Sequence, residues 1–290
     1  MDDGFLHQNV RVGSVELPNP VMTASGTAGH ADELGRYLDL SSLGAVVVKS
    51  LLFEPWAGNP APRVHAVAGG MINSVGLQGP GVEAWVRDDL PRLRRAGARV
   101  VASIWGRSVE EYEKAASMLA GTDVVAVEVN LSCPNTHAGR SLFAHDPEAT
   151  EVVMRATEAA SVPRWAKLSP NTHLIADVAA AARRGGAEAV TLVNTVLAMA
   201  LDDVGEPILG SGHNGGGMSG AAIHPVAVRA VHDVRQAHPD LPIIGVGGVR
   251  DGRTARALLD AGADAIQVGT ATFADPRACA KVLADLRRRT

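Results

Sequence analysis

The chain has 290 residues, 46% of them hydrophobic, and a formal net charge of -4. With no basic stripe and only four Trp, two Tyr and four Phe, it offers neither the charge nor the stacking surface of a nucleic-acid binder. The length fits one domain over residues 1–290, since a (β/α)8 barrel takes about 250 residues.

Met1-Asp2-Asp3-Gly4 is acidic and lacks the basic-then-apolar layout of a signal peptide. No apolar run approaches the roughly 18 residues of a membrane span. The two cysteines, Cys133 and Cys279, lie far apart, so no disulfide framework is expected and a reducing cytoplasm is the expected location. There is no Cys-x-x-Cys, and the histidines show no ligand-like spacing, so no metal is expected. His224 and His232, eight apart on one predicted helix, read as solvated helix residues.

From the N-terminus, Val10–Leu17 alternates apolar and polar residues around Gly13-Ser14, which predicts a hairpin at the bottom of the fold. Eight apolar runs follow: Val21–Ala24, Ala45–Val48, Val100–Ala102, Val124–Val129, Arg164–Leu168, Ala189–Val193, Ile243–Val246 and Ala265–Val268. Near-continuous apolar strands alternating with Ala/Arg-rich amphipathic helices predict a parallel sheet with a covered outer face. Eight such units favour a closed (β/α)8 TIM barrel over an open sheet. Three connections are long: residues 50–80, residues 131–146 and the glycine-rich Gly210–Gly220. All follow a strand, so they are expected as functional loops on the catalytic face, with 131–146 as a lid.

Each apolar run ends in a hydrogen-bonding or glycine residue: Ser25-Gly26, Lys49-Ser50, Ser103, Asn130, Lys167, Asn194-Thr195, Gly247-Gly248 and Gly269-Thr270. One such residue is ordinary turn chemistry, but eight in register describe a site at the barrel mouth. Among 27 Lys and Arg residues only four are lysine, and two of those, Lys49 and Lys167, end barrel strands. Their compact ammonium groups are expected to point into the mouth. Gly247-Gly248 and Gly269-Thr270 follow the last two strands, each entering a helix, where barrels commonly bind phosphate. Cys133 sits in Asn130-Leu131-Ser132-Cys133-Pro134-Asn135 after the fourth strand, near lysines that favour thiolate chemistry, whereas Cys279 reads as an inert core residue.

Taken together, Asn19–Gly26, Lys49-Ser50 with Gly58-Asn59-Pro60, Asn73-Ser74-Val75-Gly76-Leu77, Asn130–Asn135, Lys167–Asn171, Asn194-Thr195, Gly217–Gly220, Gly247-Gly248 and Gly269-Thr270 resemble the dihydroorotate dehydrogenases. These are FMN-containing barrels of pyrimidine biosynthesis, and the resemblance spans essentially the whole chain. It implies FMN across the barrel mouth, its phosphate on Gly247, Gly248, Gly269 and Thr270, and the rest lined by Ser25, Lys49, Ser50, Ser103, Asn130, Lys167, Val193 and Gly220. Dihydroorotate would be held by Lys49, by Asn73, Ser74, Val75, Gly76 and Leu77, and by Asn130, Asn135, Asn194 and Thr195. Cys133 would be the base, with Lys49 beside it in the catalytic set.

Quinone-linked members, which use serine as base and carry an N-terminal helical extension, resemble the chain less. Gly69-Gly70-Met71-Ile72-Asn73, Gly79-Pro80-Gly81 and Gly216–Gly220 look more like the NAD-linked catalytic subunit than the fumarate-using class. That class implies a partner subunit with FAD and a [2Fe–2S] cluster, around a dimeric core. Ser103, Ala221 and His224 stand where the family usually has asparagine, proline and lysine. A dihydropyrimidine dehydrogenase is the neighbouring reading among flavin barrels, and a non-catalytic flavin subunit is another. On the residues alone, an aldolase forming a Schiff base at Lys167 also stays open.

Overall fold

The computed structural model describes residues 9–132 and 143–288. Strands β1 (Val10–Val12) and β2 (Val15–Leu17) form the expected hairpin, with Val10 opposite Leu17. Next come β3 (Val21–Thr23), β4 (Val46–Val47), β5 (Val64–Val67) and β6 (Gly70–Asn73). The middle of the chain supplies β7 (Val100–Ile104), β8 (Ala126–Asn130), β9 (Arg164–Lys167) and β10 (Ala189–Leu192). The remainder are β11 (Val196–Ala198), β12 (Gly216–Ser219), β13 (Ile243–Val246) and β14 (Ala265–Val268).

Eight of these form one parallel sheet in the order β3-β14-β13-β10-β9-β8-β7-β4. A parallel bridge between Met22 and Ala45 joins its two edges, so the sheet closes into the expected barrel. Helices cover the outside, among them Val109–Ser117, Pro147–Ala156, Ile175–Arg184, His224–Ala237, Gly252–Asp260 and Ala278–Arg288. The connection from β3 to β4 departs from this rule, carrying only the 3-10 turns Glu33–Arg36 and Leu40–Ser42. Three helix-to-strand junctions end on a left-handed glycine, Gly97, Gly186 and Gly262. Among the described residues no helix is long and apolar enough to cross a membrane.

The period-2 alternation of the strands sorts the barrel interior into layers. At the bottom, Val47, Val101, Ala126, Trp165, Ala189, Ile244 and Ala265 pack against Val10, Val12, Val15 and Leu17 of the hairpin, which plugs that end. Burying each hairpin valine or leucine contributes about 1.5–3 kcal/mol. Two residues further along the strands the interior turns polar, with Ser103, Glu128, Lys167, Thr191 and Gln267 all buried. Another step brings the chain to the mouth.

The long connections are not structureless. Residues from 50–80 and 196–219 build a second, four-stranded antiparallel sheet in the order β11-β12-β6-β5, pinned by pairs such as Gly217 with Asn73. Glycine is disfavoured in strands, so these segments read as loops. Their pairing joins residues about 140 positions apart, which no local pattern reveals.

Candidate active site

Between the strand ends and the second sheet lies a cavity of about 700 Å3. Its floor includes Ser25, Lys49, Ser50, Asn130 and Lys167. Val193, Asn194 and Thr195 line one side, and Asn73, Val75, Gly76 and Leu77 the other. Gly220, Gly247, Gly248, Gly269 and Thr270 line it as well. Among the described residues the lining includes two lysines and no aspartate or glutamate, so its field suits an anionic ligand.

Two expected site residues stand outside this lining. Ser103 is fully buried, and its hydroxyl pairs with that of Ser50 at 2.9 Å, so it supports the floor from below. Ser74 is 1% exposed; its hydroxyl accepts from Asn59 Nδ2 at 2.8 Å, which turns it away from the mouth. Cys133 and Asn135 lie outside the described residues, as does most of the 131–146 connection.

The asparagines hold one another. Asn130 donates to Ser50 Oγ at 3.1 Å, and its Oδ1 accepts from Ser132 Oγ at 3.2 Å and from Asn194 Nδ2 at 3.3 Å. Asn194 also donates to Ser132 Oγ at 2.9 Å, and its own Oδ1 accepts from the Thr195 amide at 2.8 Å. The backbone carbonyl of Asn130 accepts from the Tyr112 hydroxyl at 2.8 Å, fixing the strand end. Ser132, the residue before Cys133, is thus tied to both asparagines of the cavity wall. On the opposite side Asn73 donates to Gly217 O at 3.2 Å, joining the roof strands.

Lys167 donates to Ser25 Oγ at 3.0 Å and lies 3.7 Å from Glu128 Oε1. The charge of Lys49 is felt at His30, whose imidazole is held below its ordinary pKa first by burial and then by that ammonium, against a smaller pull from Glu33.

Both glycine turns enter helices as expected, Gly269-Thr270 directly into Ala271–Ala274 with Thr270 at the N-cap position, but the first does not offer its helix start to an anion. Gly247-Gly248 precedes helix Gly252–Asp260, but that helix start is closed by a capping box between Asp251 and Thr254. The Gly252 amide donates to Asp285 and the Thr254 amide to Asp251, so a carboxylate stands where an anion would have to bind. What faces the cavity is the turn itself. Gly248 has φ +68, and a Cβ there would stand 2.6 Å from the Cβ of His224 and 2.9 Å from Gly220 O. His224 is therefore not the solvated residue its helix position suggests: it is half-buried and hydrogen-bonded to Gly247 O at 2.8 Å, bracing the turn. His232 is exposed, as expected. Gly269 is different again, because a Cβ there would make only ordinary contact, 3.4 Å from the Cβ of Ala24.

Several lining residues escaped the sequence reading, notably Val64, His65, Ala66 and Met71 of the roof and Phe273. Glu128, Thr191 and Gln267 escaped it too, although each stands two positions before a strand-end residue of the mouth. A polar residue at an inward position of an apolar strand was the available signal.

Comparison with known proteins gives a consistent answer. A family model described as dihydroorotate dehydrogenase matches residues 7–289. The protein named "Dihydroorotate dehydrogenase B (NAD(+)), catalytic subunit" of Alkaliphilus oremlandii (strain OhILAs) is 46% identical over 279 residues, covering 96% of this chain and 91% of that protein. The protein of the same name from Desulforudis audaxviator (strain MP104C) is 48% identical over 282 residues, again covering 96% and 91%. The crystal structure of DHODH in complex with ferulenol from Eimeria tenella superposes with a TM-score of 0.79 at 20% identity, covering 98% of this chain and 84% of that one. That likeness bears on the fold alone.

Proposed function

The chain belongs to the dihydroorotate dehydrogenase family, and on that premise we propose that it is the catalytic subunit of an NAD-linked enzyme that oxidises dihydroorotate to orotate in pyrimidine biosynthesis. The family is one of flavoproteins, and FMN is the flavin we assign to the cavity, with residues 1–290 acting as one FMN-binding unit. The observation that carries the reading is the cavity wall itself: among the described residues, two lysines, three interlocked or roof-tied asparagines and no acid around about 700 Å3. That volume and charge fit an anionic flavin and an anionic substrate together.

Bound in this cavity, FMN would supply the hydride acceptor for C6 of the substrate. Gly248, Gly269 and Thr270 would approach the phosphate, with Gly247 and Gly220 shaping the turn. Ser25, Ser50, Asn130, Lys167 and Val193 would line the rest of the flavin site. Lys167 would supply positive charge to a group that gains negative charge on reduction. Lys49 would meet the substrate carboxylate, and Asn73, Asn130, Asn194 and Thr195 would match the donor and acceptor edge of its cyclic imide. Unmet hydrogen bonds there would be costly, which sets the specificity. Cys133 would take the proton from C5; the chain reaches it directly from Ser132, which Asn130 and Asn194 fix at the cavity wall.

The Schiff-base alternative fits less well, since Lys167 is ion-paired and hydrogen-bonded, whereas a nucleophilic lysine must be neutral. The names of the relatives favour NAD over fumarate and imply a separate electron-transfer subunit. We assign that partner FAD and a [2Fe–2S] cluster, place the assembly in the cytoplasm and give it a dimeric catalytic core, all on the family resemblance.

The flavin assignment is tested at Gly269 rather than Gly248, because a side chain at Gly248 collides with His224 of the protein itself. Gly269→Ala should melt like the parent, since its Cβ meets nothing closer than 3.4 Å. It should nevertheless bind FMN at least about fivefold more weakly, since crowding costs roughly 1–3 kcal/mol. Fluorescence titration of the apoprotein with FMN measures this, and unchanged affinity would remove Gly269 from the phosphate site.

A further inference from the structure

One layer below the cavity floor the barrel buries a carboxylate. Glu128, inward-facing on β8, is 0% exposed. Its Oε2 accepts from Thr191 Oγ1 of β10 at 3.1 Å and from Gln267 Nε2 of β14 at 2.7 Å. Its Oε1 has no hydrogen-bond partner and lies 3.7 Å from Lys167 Nζ, too long for a hydrogen bond but short for an ion pair. Among the described residues this is the ion pair with both side chains buried, at 5% and 0% exposure.

A charge so far from water is tolerated only when compensated. Here two neutral hydrogen bonds orient the carboxylate and leave its other oxygen aimed at the lysine. Were the position merely core, an apolar residue would fill it at lower cost. The ammonium is held between Ser25 on the cavity side and Glu128 behind it, so its net field at the cavity is that of a partly neutralised pair.

We infer that Glu128 is the positioning and charge-balancing residue of Lys167: it anchors the ammonium in the cavity wall and reduces the positive field that a bound flavin experiences. This rests on the assignment of a flavin to the cavity. The consequence is a flavin whose affinity for electrons is held down, so that electrons taken from the substrate pass on to the next acceptor.

Glu128→Gln tests this with the shape nearly unchanged, because the amide oxygen can still accept from Thr191 and Gln267. In the flavin-loaded protein, the reduced flavin should be favoured about tenfold or more over the parent, an upward shift in midpoint potential of about 30 mV for a two-electron couple. A potential that is unchanged or lower overturns the inference. Thermal melting supplies a second test that needs no flavin. Lys167→Met alone should melt lower than the parent, since it strands the buried carboxylate, and adding Glu128→Gln should recover most of the loss. If the double variant melts no higher than Lys167→Met, the two residues are not coupled and the inference falls. A chain that takes up no flavin would instead refute the flavin assignment, and the melting comparison would still decide whether the pair is real.

Discussion

Cys133→Ala is expected to keep FMN and orotate bound but to reduce its flavin with dihydroorotate about 10²–10⁴-fold more slowly, the usual contribution of a positioned general base. A cysteine ionises near pH 8.5 in water, so a modest downward shift beside cationic groups gives a thiolate at neutral pH. On the proposed assignment, Lys49 and Lys167 of the cavity would supply such groups. The base must be deprotonated to act, so the parent rate should rise with pH and level off once the thiol has ionised. Cys133→Ser should also be slow, with its deficit smallest at high pH, because a hydroxyl is a far weaker source of base. Cys279→Ala is the control. Its thiol is fully buried in helix Ala278–Arg288, and that burial pushes its pKa up to about 12, so it has no part in the reaction. Stopped-flow flavin reduction across a pH series measures all four proteins. Near-normal reduction by Cys133→Ala would mean that another group takes the C5 proton.

The second large effect concerns the electron acceptor. The isolated chain should reduce its flavin with dihydroorotate yet leave NAD untouched, and NAD reduction should appear only when an electron-transfer subunit is added. Among the described residues no group of three or more His, Cys, Asp or Glu could hold a metal ion. Steady-state NADH formation, with and without the partner, is the measurement. Rapid NADH formation by the pure chain would contradict the two-subunit reading. Rapid turnover with fumarate would move the chain to the fumarate-using class.

The barrel was legible because each of its strands is a short apolar run that needs no distant partner to be recognised. Hydrophobic burial on both faces of a parallel sheet writes itself into consecutive residues, as in Ile243–Val246 and Ala265–Val268, whose bounds match the structure. The same runs hid Glu128, Thr191 and Gln267, since a polar residue inside an apolar strand breaks the pattern only if the inward phase is followed. The roof sheet stayed hidden for a different reason. Met71 opposite Ser219 and Asn73 opposite Gly217 are long-range pairs between glycine-rich segments, so their local composition argues for loop. His224 was misplaced because helical position alone does not show that Gly247 O lies within 2.8 Å of its ring. Ser74 and Ser103 follow from the same limit: adjacency in sequence to a mouth residue does not fix which way a side chain turns.

Anaerobic mixing with dihydroorotate asks whether this cavity oxidises it on a bound flavin. The purified chain should be yellow, and its flavin absorbance should bleach on adding dihydroorotate, with one orotate formed for each flavin reduced. Yellow protein that stays oxidised with dihydroorotate present, or colourless protein that takes up no FMN, would mean that the cavity is not a dihydroorotate-oxidising flavin site.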